Sequence, residues 1–357
     1  MLTVDLAAVR ENYRLLARHA TVPLLPMVKG DAYGLGAVEV ARVLDAESPV
    51  AFGVASVAEG AELRRAGISR PIVVFTPVLP HLFVEAREAG LTLCLSNAAH
   101  LAVWSRLDGK WQLPVDTGMS RAGVDWRDAA GLREALAAGG EPDGVFTHFH
   151  SADSDPASMA VQESRFESVL AALSARPALV HTENSAALLQ RGASRYDCAR
   201  PGIAIYGVSV GPARWTPRAA VALTAPVIEL RHLQAGDTVS YGAVWRAAGP
   251  RRIATVALGY ADGYPRGAGS RASAMVNDRR VPVAGLVTMD MTMCDVTDVP
   301  CEIGDCVTLI GSDAELSVSA VAEHAQRSPY EILTGLRARC QRTFRHSADV
   351  TVSEVAA

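Results

Sequence analysis

A single lysine stands at the end of the first apolar run of the chain, and a glycine-rich turn follows it. Leu24–Val28 leads into Lys29, and Gly30–Gly34 comes next. Burying an ammonium group is costly, so a lysine at the inner end of a buried strand is favoured as a neutral amine or in covalent use. A neutral amine can attack an aldehyde. This segment alone leaves two interpretations open: a Schiff-base lysine, or a lysine that emerges into solvent at a strand end.

Four later apolar runs also end in polar residues. In a β/α barrel the active site lies at the carboxyl ends of the strands, so a barrel would bring these residues together with Lys29. The segments are Asp116–Arg121, Thr147-His148, His181-x-x-Asn184-Ser185 and Arg200-Pro201-Gly202-Ile203.

The elements that would position these residues alternate between short apolar runs and amphipathic helical patterns. Eight β-then-α units predict an α/β fold, a parallel sheet closed as a (β/α)8 TIM-like barrel. An open doubly wound sheet would carry G-x-G-x-x-G after its first strand, and Gly30-x-x-x-Gly34-x-Gly36 lacks that spacing. The predicted strands are Leu24–Val28, Ala51–Ala55, Ile72–Phe75, Leu91–Leu95, Trp111–Val115, Val145–Phe149, Ala178–His181 and Tyr196–Ala199.

The pattern changes after Trp215-Thr216-Pro217, where strand-like runs continue without long helices. We therefore predict a barrel domain over residues 1–217 and a mostly-β C-terminal domain over residues 218–357. Asn277-Asp278 is a plausible hairpin turn. The predicted strands of this domain are Ala225–Leu230, Thr238–Tyr241, Arg252–Gly259, Ala272–Val276, Val281–Val287, Met291–Val296 and Cys306–Ile310.

Composition excludes several classes of protein. The 357 residues carry a formal net charge of −4 with acids and bases interspersed, which argues against nucleic-acid binding. The apolar runs are strand-sized, and no signal-peptide pattern opens the chain, so we expect no membrane association and a cytoplasmic location. The six scattered cysteines form no C-x-x-C pair, which predicts reduced thiols, and we expect no metal site.

The last two polar segments lie where barrels commonly place a phosphate group. Ser185 offers a hydroxyl group, and Gly202 and Ile203 offer backbone N–H groups. A lysine and a phosphate site in one barrel point to pyridoxal 5′-phosphate as the cofactor.

At this point the chain resembles a known family, the alanine racemases, which are barrel-type pyridoxal phosphate enzymes with a second β domain. The resemblance covers nearly the whole length and preserves the order of the motifs, which is more specific than any one of them. The matching segments are Val28–Gly34, Asp116–Arg121 with Gly123, Asn184-Ser185-Ala186, Arg200–Ile203 with Tyr206-Gly207, Val239–Gly242, Gly259–Tyr264, Met289-Asp290 and Tyr330-Glu331.

The resemblance implies a homodimer and a two-base mechanism. Lys29 would hold the cofactor and act on one face of the substrate α-carbon, and Tyr241 of the partner subunit would act on the other, as racemisation requires. Arg200 would face the pyridine nitrogen, where an arginine that keeps its proton favours racemisation over transamination. His148 and His181 would support these groups.

The remaining site residues are also implied by the resemblance. Tyr33, Asn184, Ser185, Gly202, Ile203 and Tyr330 would bind the cofactor. Arg121 and the backbone at Met289 would meet the substrate carboxylate, and Tyr260 would line the approach to it.

Three positions depart from the family pattern. Pro114 stands where many members carry a lysine that becomes carbamylated and positions the arginine. Leu286 replaces the usual arginine at the mouth of the site, which leaves its usual partner Asp153. Leu35 stands in place of a histidine. The first two departures predict a looser carboxylate anchor or a wider approach.

We therefore expect interconversion of L-alanine and D-alanine, which supplies D-alanine for peptidoglycan. The alternatives are a racemase of broader specificity, for serine or other small amino acids, and a pyridoxal phosphate-binding protein with weak catalysis. A single-barrel carrier of that kind would lack the second domain. A decarboxylase of the related barrel family would carry a carboxylate in place of Arg200.

Overall fold

The fold was determined as a computed structural model, which describes residues 1–336 and 339–346. Residues 337, 338 and 347–357 of the predicted second domain lie outside the described part of the chain.

A parallel sheet of seven strands forms the centre of the first domain. Six of the eight predicted strands are present in it, in the predicted order. Val124–Asp125 is a further short strand, which was not predicted and pairs beside the fourth of the six. The six strands are Phe52–Val54, Ile72–Val74, Thr92–Cys94, Trp111–Asp116, Gly144–Phe146 and Leu179–His181.

The first and eighth predicted strands are wrong as strands, because both segments form isolated parallel bridges instead. Pro26 has no N–H to donate, which interrupts a continuous ladder in the first segment. Hydrogen bonds of 2.8–2.9 Å nevertheless join the first segment to the strand on one side and to the eighth segment on the other. The ring is thereby closed, and the barrel prediction is confirmed. The bridges are Leu24 to Ala199 and Met27 to Gly53.

Helices cover the outside of the sheet with apolar residues at helical spacing. In the first helix, the buried residues Leu6, Val9, Tyr13 and Leu16 lie on one face. The helices of this domain are Leu6–Ala20, Ala37–Asp45, Val57–Arg65, Phe83–Glu88, Ala98–Trp104, Ala129–Gly139, Pro156–Leu170 and Ser185–Arg191.

One long strand, Val221–Leu233, organises the second domain and confirms its mostly-β character. It pairs with Leu2–Asp5, Arg251–Val256 and Cys306–Ile310. The N-terminal strand therefore lies in the second sheet, while the domain boundary at residue 217 stays a prediction. The other elements are the strands Thr238–Val239, Trp245–Arg246, Ser273–Val276, Arg279–Pro282, Thr292–Asp295 and Arg342–Arg345 and the helices Val318–Ala325 and Pro329–Gly335.

The turns of this domain agree with the sequence in one place and differ in another. Asn277 and Asp278 have φ values of 47° and 59° and join two antiparallel strands, as the hairpin prediction required. The strand predicted to reach Tyr241 instead ends at Val239. Ser240, at φ 68°, turns the chain, so Tyr241 begins a short 3-10 turn.

The segment Lys29–Gly34 forms a left-handed helical turn. Residues 30–33 have φ between 53° and 64°, which costs roughly 1–2 kcal/mol for each non-glycine residue. Asp31 helps to offset this cost, because its carboxylate accepts the Ala37 N–H at 2.8 Å and an Arg342 N–H at 2.7 Å. The left-handed turn therefore depends on contacts from both domains.

Gly34 should be sensitive to any side chain. Its φ is +90°, and a Cβ there would lie 2.6 Å from the Leu333 carbonyl oxygen. Gly67 is a matched control, because its φ is +92° and nothing lies within 4 Å. We expect Gly67→Ala to lower the free energy of unfolding in urea by about 1 kcal/mol, and Gly34→Ala to lower it by a further 1–3 kcal/mol, roughly. Equal losses would contradict the close contact with the second domain.

Candidate active site

A cavity of about 680 Å³ opens at the carboxyl ends of the barrel strands. It brings together predicted site residues from six segments that are far apart in the sequence. Of the predicted site residues, those that line it are Lys29, Tyr33, Arg121, His148, Asn184, Ser185, Arg200, Gly202 and Tyr330.

The Lys29 amine faces an environment that favours its neutral form. Burial lowers the pKa of Lys29, and the nearby guanidinium groups of Arg121 and Arg200 lower it further. Glu59 opposes these effects. The lowered pKa increases the fraction of free amine, which is the form that reacts with an aldehyde.

Arg200 is held rigidly beneath the cavity. Its guanidinium donates hydrogen bonds to the carbonyl oxygens of Thr147 at 2.8 Å and Thr182 at 3.2 Å. It also lies over the rings of Phe75 and Phe146, 5.8 and 5.1 Å from their centroids. Burial lowers the pKa of Arg200 to about 10, so the group stays protonated at neutral pH.

The third partner of Arg200 is Nδ1 of the fully buried His181. An arginine can only donate, so Nδ1 carries no proton and the proton of the neutral ring is on Nε2. That N–H lies 2.9 Å from Oε1 of Gln112, which accepts it. Burial, together with Arg200, lowers the pKa of His181 well below its usual value, in agreement with a neutral ring.

Gln112 was missed by the sequence analysis. It is 3% exposed and lies in the middle of the strand Trp111–Asp116. A single amide between apolar neighbours in a predicted buried strand was the available signal, because such a group must find a hydrogen-bond partner inside the protein.

Ser185, Gly202 and Tyr33 line one side of the cavity, and we call this set the cradle. Ser185 Oγ accepts the N–H groups of Gly202 at 2.8 Å and Ala204 at 3.3 Å. A Cβ at Gly202 would lie 2.2 Å from the Tyr33 hydroxyl oxygen, so only glycine fits. The Tyr33 ring in turn packs 5.9 Å from the ring of Tyr330. Ile203 is fully buried beside Gly202 and is not among the residues that line the cavity.

His148 lies on the wall of the same cavity. Burial lowers its pKa to about 3, and the positive charges of Arg200, Arg121 and Lys29 act in the same direction. The ring is therefore neutral across the physiological range. His150, two residues later, is exposed and contacts Ser151 Oγ at 2.7 Å.

A buried glutamine holds the two strand ends that carry Arg121 and His148. Gln162 Nε2 donates to Thr117 Oγ1 at 3.0 Å and to the His148 carbonyl at 3.1 Å, and its Oε1 accepts the His150 N–H at 3.0 Å. Sequence analysis missed Gln162, because its helical position gave no sign of contact with the strand ends.

Pro114 and Arg121 both line the cavity. Since Pro114 has no backbone N–H, the pairing with the preceding strand extends only to Cys94 opposite Gln112. In the described part of the chain, no hydrogen bond or ion pair holds the Arg121 guanidinium. The anchor for this arginine is therefore weaker than the anchor for Arg200.

Tyr241, Tyr260 and Met289 are not among the residues that line the cavity of their own chain. They are 69%, 42% and 53% exposed. Tyr260 and Met289 belong to neighbouring loops, which are joined by hydrogen bonds from the N–H groups of Tyr260 and Ala261 to the carbonyls of Thr288 and Met289. Three large apolar side chains are thus exposed on the second domain.

Within residues 1–336 and 339–346, no group of three or more His, Cys, Asp or Glu side chains could hold a metal ion. Asp153 has no Lys or Arg partner within 4.0 Å in the same ranges. None of the helices described there has the length and apolar character that a membrane crossing would need.

Comparison with known proteins agrees with this arrangement. A family model for the N-terminal domain of alanine racemase matches residues 4–210, and one for the C-terminal domain matches residues 220–344. The chain belongs to the alanine racemase family. Membership makes it an isomerase.

Alanine racemases from several bacteria resemble the chain over nearly their whole lengths. The one from Symbiobacterium thermophilum is 40% identical, with 96% of each chain covered, and the one from Deinococcus radiodurans is 38% identical, with 95% and 97% covered. The crystal structure of alanine racemase from Bacillus anthracis with bound L-Ala-P has a TM-score of 0.87 at 32% identity, covering 98% of this chain and 95% of that one.

Removing the acceptor at Gln112 should destabilise the protein. Gln112→Met keeps the volume but leaves the Nε2–H of His181 buried without a partner. The expected loss is about 1–3 kcal/mol in the free energy of unfolding. Gln234→Met, on the exposed surface, should change it by less than about 0.5 kcal/mol. Equal losses of unfolding free energy in Gln112→Met and Gln234→Met, measured in urea, would show that the hydrogen bond from His181 to Gln112 does not stabilise the protein.

The lowered pKa of His148 predicts a loss of stability in acid. Below about pH 6.5 the unfolded chain binds a proton at this residue, while the folded protein binds it only near pH 3. Stability therefore falls as the pH drops through this window. His148→Gln cannot titrate at this position, so its stability should fall less steeply. The two slopes should differ by about 1.4 kcal/mol per pH unit at pH 4–5.5. Parallel curves for the two proteins would contradict a neutral buried ring.

Proposed function

We propose that the protein interconverts L-alanine and D-alanine with pyridoxal 5′-phosphate, working as a homodimer in the cytoplasm and supplying D-alanine for peptidoglycan. One observation carries this proposal. One cavity at the carboxyl ends of the barrel strands is lined by Lys29, whose pKa is lowered, by the hydrogen-bonded Arg200 and by the cradle of Ser185, Gly202 and Tyr33.

The residues present fit the cofactor. Ser185 and the N–H groups of Gly202 and Ile203, with the hydroxyls of Tyr33 and Tyr330, would hold its phosphate, and Asn184 would contribute from the same segment. A side chain at Gly202 would clash with Tyr33, so the glycine leaves the backbone open to a bound group at this point. The Lys29 amine would bind the aldehyde carbon. The cofactor supplies the electron sink that makes the α-proton of the amino acid acidic.

Arg200 sets the character of that electron sink. Its guanidinium stays protonated and can only donate hydrogen bonds. A pyridine nitrogen that faced it would have to accept one and would therefore stay unprotonated. Its three fixed partners and two flanking rings leave it no room to turn away. His181 and Gln112 would orient Arg200 from below without touching the substrate.

Racemisation needs one group on each face of the α-carbon. Lys29 would take or give the proton on one face, and the hydroxyl of Tyr241 from the partner subunit would do so on the other. The exposure of Tyr241 on the second domain supports this assignment, since a residue that serves a neighbouring site must lie on the surface of its own chain. His148 would assist as a neutral neighbour.

The substrate carboxylate would be met by Arg121 and, from the partner, by the backbone at Met289, with Tyr260 lining the approach. In the described residues the Arg121 guanidinium lacks a fixed partner, and Asp153 has no Lys or Arg partner within 4.0 Å. These observations favour one alternative, a racemase that also accepts serine or other small amino acids. A panel of L-amino acids with chiral product analysis separates the two specificities.

The two-base assignment is tested by two single variants. We expect Lys29→Ala and Tyr241→Phe each to reduce conversion of L-alanine by at least about a hundredfold, which corresponds to the removal of one general acid or base. Tyr196→Phe also removes a hydroxyl, but one that bonds to Glu167 outside the cavity, and should stay near full activity. Full activity in Lys29→Ala or Tyr241→Phe would refute the assignment. If the parent protein forms neither D-alanine nor any other D-amino acid, the alternative of a pyridoxal phosphate-binding protein with weak catalysis is favoured.

The shared site is tested by mixing the two inactive variants. A heterodimer of Lys29→Ala and Tyr241→Phe subunits has one site with both groups intact. Random exchange of subunits should therefore restore about a quarter of the parent activity. No recovery, despite proven exchange of subunits, would show that both groups act within one chain.

A further inference from the structure

Glu59 lies on the helix that follows the second segment of the barrel ring, and its carboxylate contacts the segment that carries Lys29. Its Oε1 accepts the Gly30 N–H at 2.8 Å, and its Oε2 accepts the Ala55 N–H at 2.7 Å and the Ser56 N–H at 3.4 Å. The carboxylate thus joins the backbone immediately after Lys29 to the end of the neighbouring strand.

Part of this arrangement is an ordinary helix cap. Ser56 and Glu59 form a capping box at the start of the helix Val57–Arg65. A capping box accounts for the contact with Ser56 only. The bonds to Gly30 and Ala55 lie outside it and use the two oxygen atoms on separate segments, so the carboxylate does more than begin a helix.

We propose that Glu59 is a positioning residue for Lys29. It fixes the first peptide of the left-handed turn and places a negative charge near an amine that is also influenced by the cations Arg121 and Arg200. The inference rests on the proposed function of Lys29, but its geometry does not depend on that function.

The surrounding charges show why such a group is useful. Burial, Arg121 and Arg200 all lower the pKa of Lys29, and the charge of Glu59 raises it. The amine must be free to react, yet it must also accept a proton during turnover. The carboxylate moderates the effect of two neighbouring guanidinium groups while its bond to Gly30 keeps the lysine backbone in place.

The sequence offers a clean way to test this. The chain contains only two lysines, Lys29 and Lys110, among its 357 residues. Full-length protein prepared without cofactor and labelled with 13C at the lysine ε-carbon therefore gives two resonances. Lys110→Arg assigns them, and a pH titration follows the Lys29 amine directly, with no need for racemase activity.

We expect Glu59→Gln to move the Lys29 midpoint to lower pH, with about three- to tenfold more free amine at pH values below the midpoint. Glu59→Asp keeps the charge but is one methylene shorter, so it should shift the midpoint less while losing the Gly30 contact. Glu62→Gln removes an exposed carboxylate from the same helix and should leave the Lys29 midpoint where it is in the parent.

An unchanged Lys29 midpoint in Glu59→Gln, with the fold intact, would overturn the proposal. If Glu59→Gln does not fold, Glu59→Asp provides the test. Because Glu59→Asp keeps the negative charge, a shift of its Lys29 midpoint as large as the one expected for loss of the charge would also contradict the proposal. Loss of racemase activity in Lys29→Ala is a separate result. A failed two-base mechanism would leave the titration, and hence this test, fully interpretable.

Discussion

The structure depends on placing several cationic groups together at the end of a barrel without enough water to solvate them. Burial and mutual repulsion disfavour a charge on the most reactive of them, Lys29, and keep His148 neutral. Arg200 keeps its charge because that charge is delocalised and the guanidinium donates three hydrogen bonds. One electrostatic environment therefore favours the free amine of Lys29, keeps the His148 imidazole neutral and leaves the Arg200 guanidinium charged.

Burying these cationic groups destabilises the folded protein, and contacts elsewhere in the fold offset part of that cost. Buried glutamines satisfy the groups behind it, Gln112 at His181 and Gln162 at the ends of two strands. The left-handed turn after Lys29 costs conformational free energy that Asp31 and Arg342 help to offset from opposite domains. An anionic cofactor and a substrate carboxylate would neutralise the remaining positive charge, which is a physical reason for the site to prefer such ligands.

Much of this architecture could be predicted from the sequence, because motif order and apolar periodicity are local signals. The barrel, the mostly-β second domain and the residues that line the cavity follow from them. What could not be predicted depends on contacts between distant segments. The strand Leu2–Asp5 joins the second sheet through pairing with residues more than 200 positions away. The first barrel segment forms bridges because Pro26 has no N–H to donate. Gln112 and Gln162 are recognisable only once their partners are placed beside them.

The central claim is that Lys29, and not another amine, holds the cofactor. It is tested most directly by loading the protein with pyridoxal 5′-phosphate, reducing the bound adduct with borohydride and mapping the modified peptide by mass spectrometry. If Lys29 holds the cofactor, we expect one pyridoxyl group per chain, on Lys29, with Lys110 unmodified. A pyridoxyl group on Lys110, or no covalent adduct at all, would contradict it.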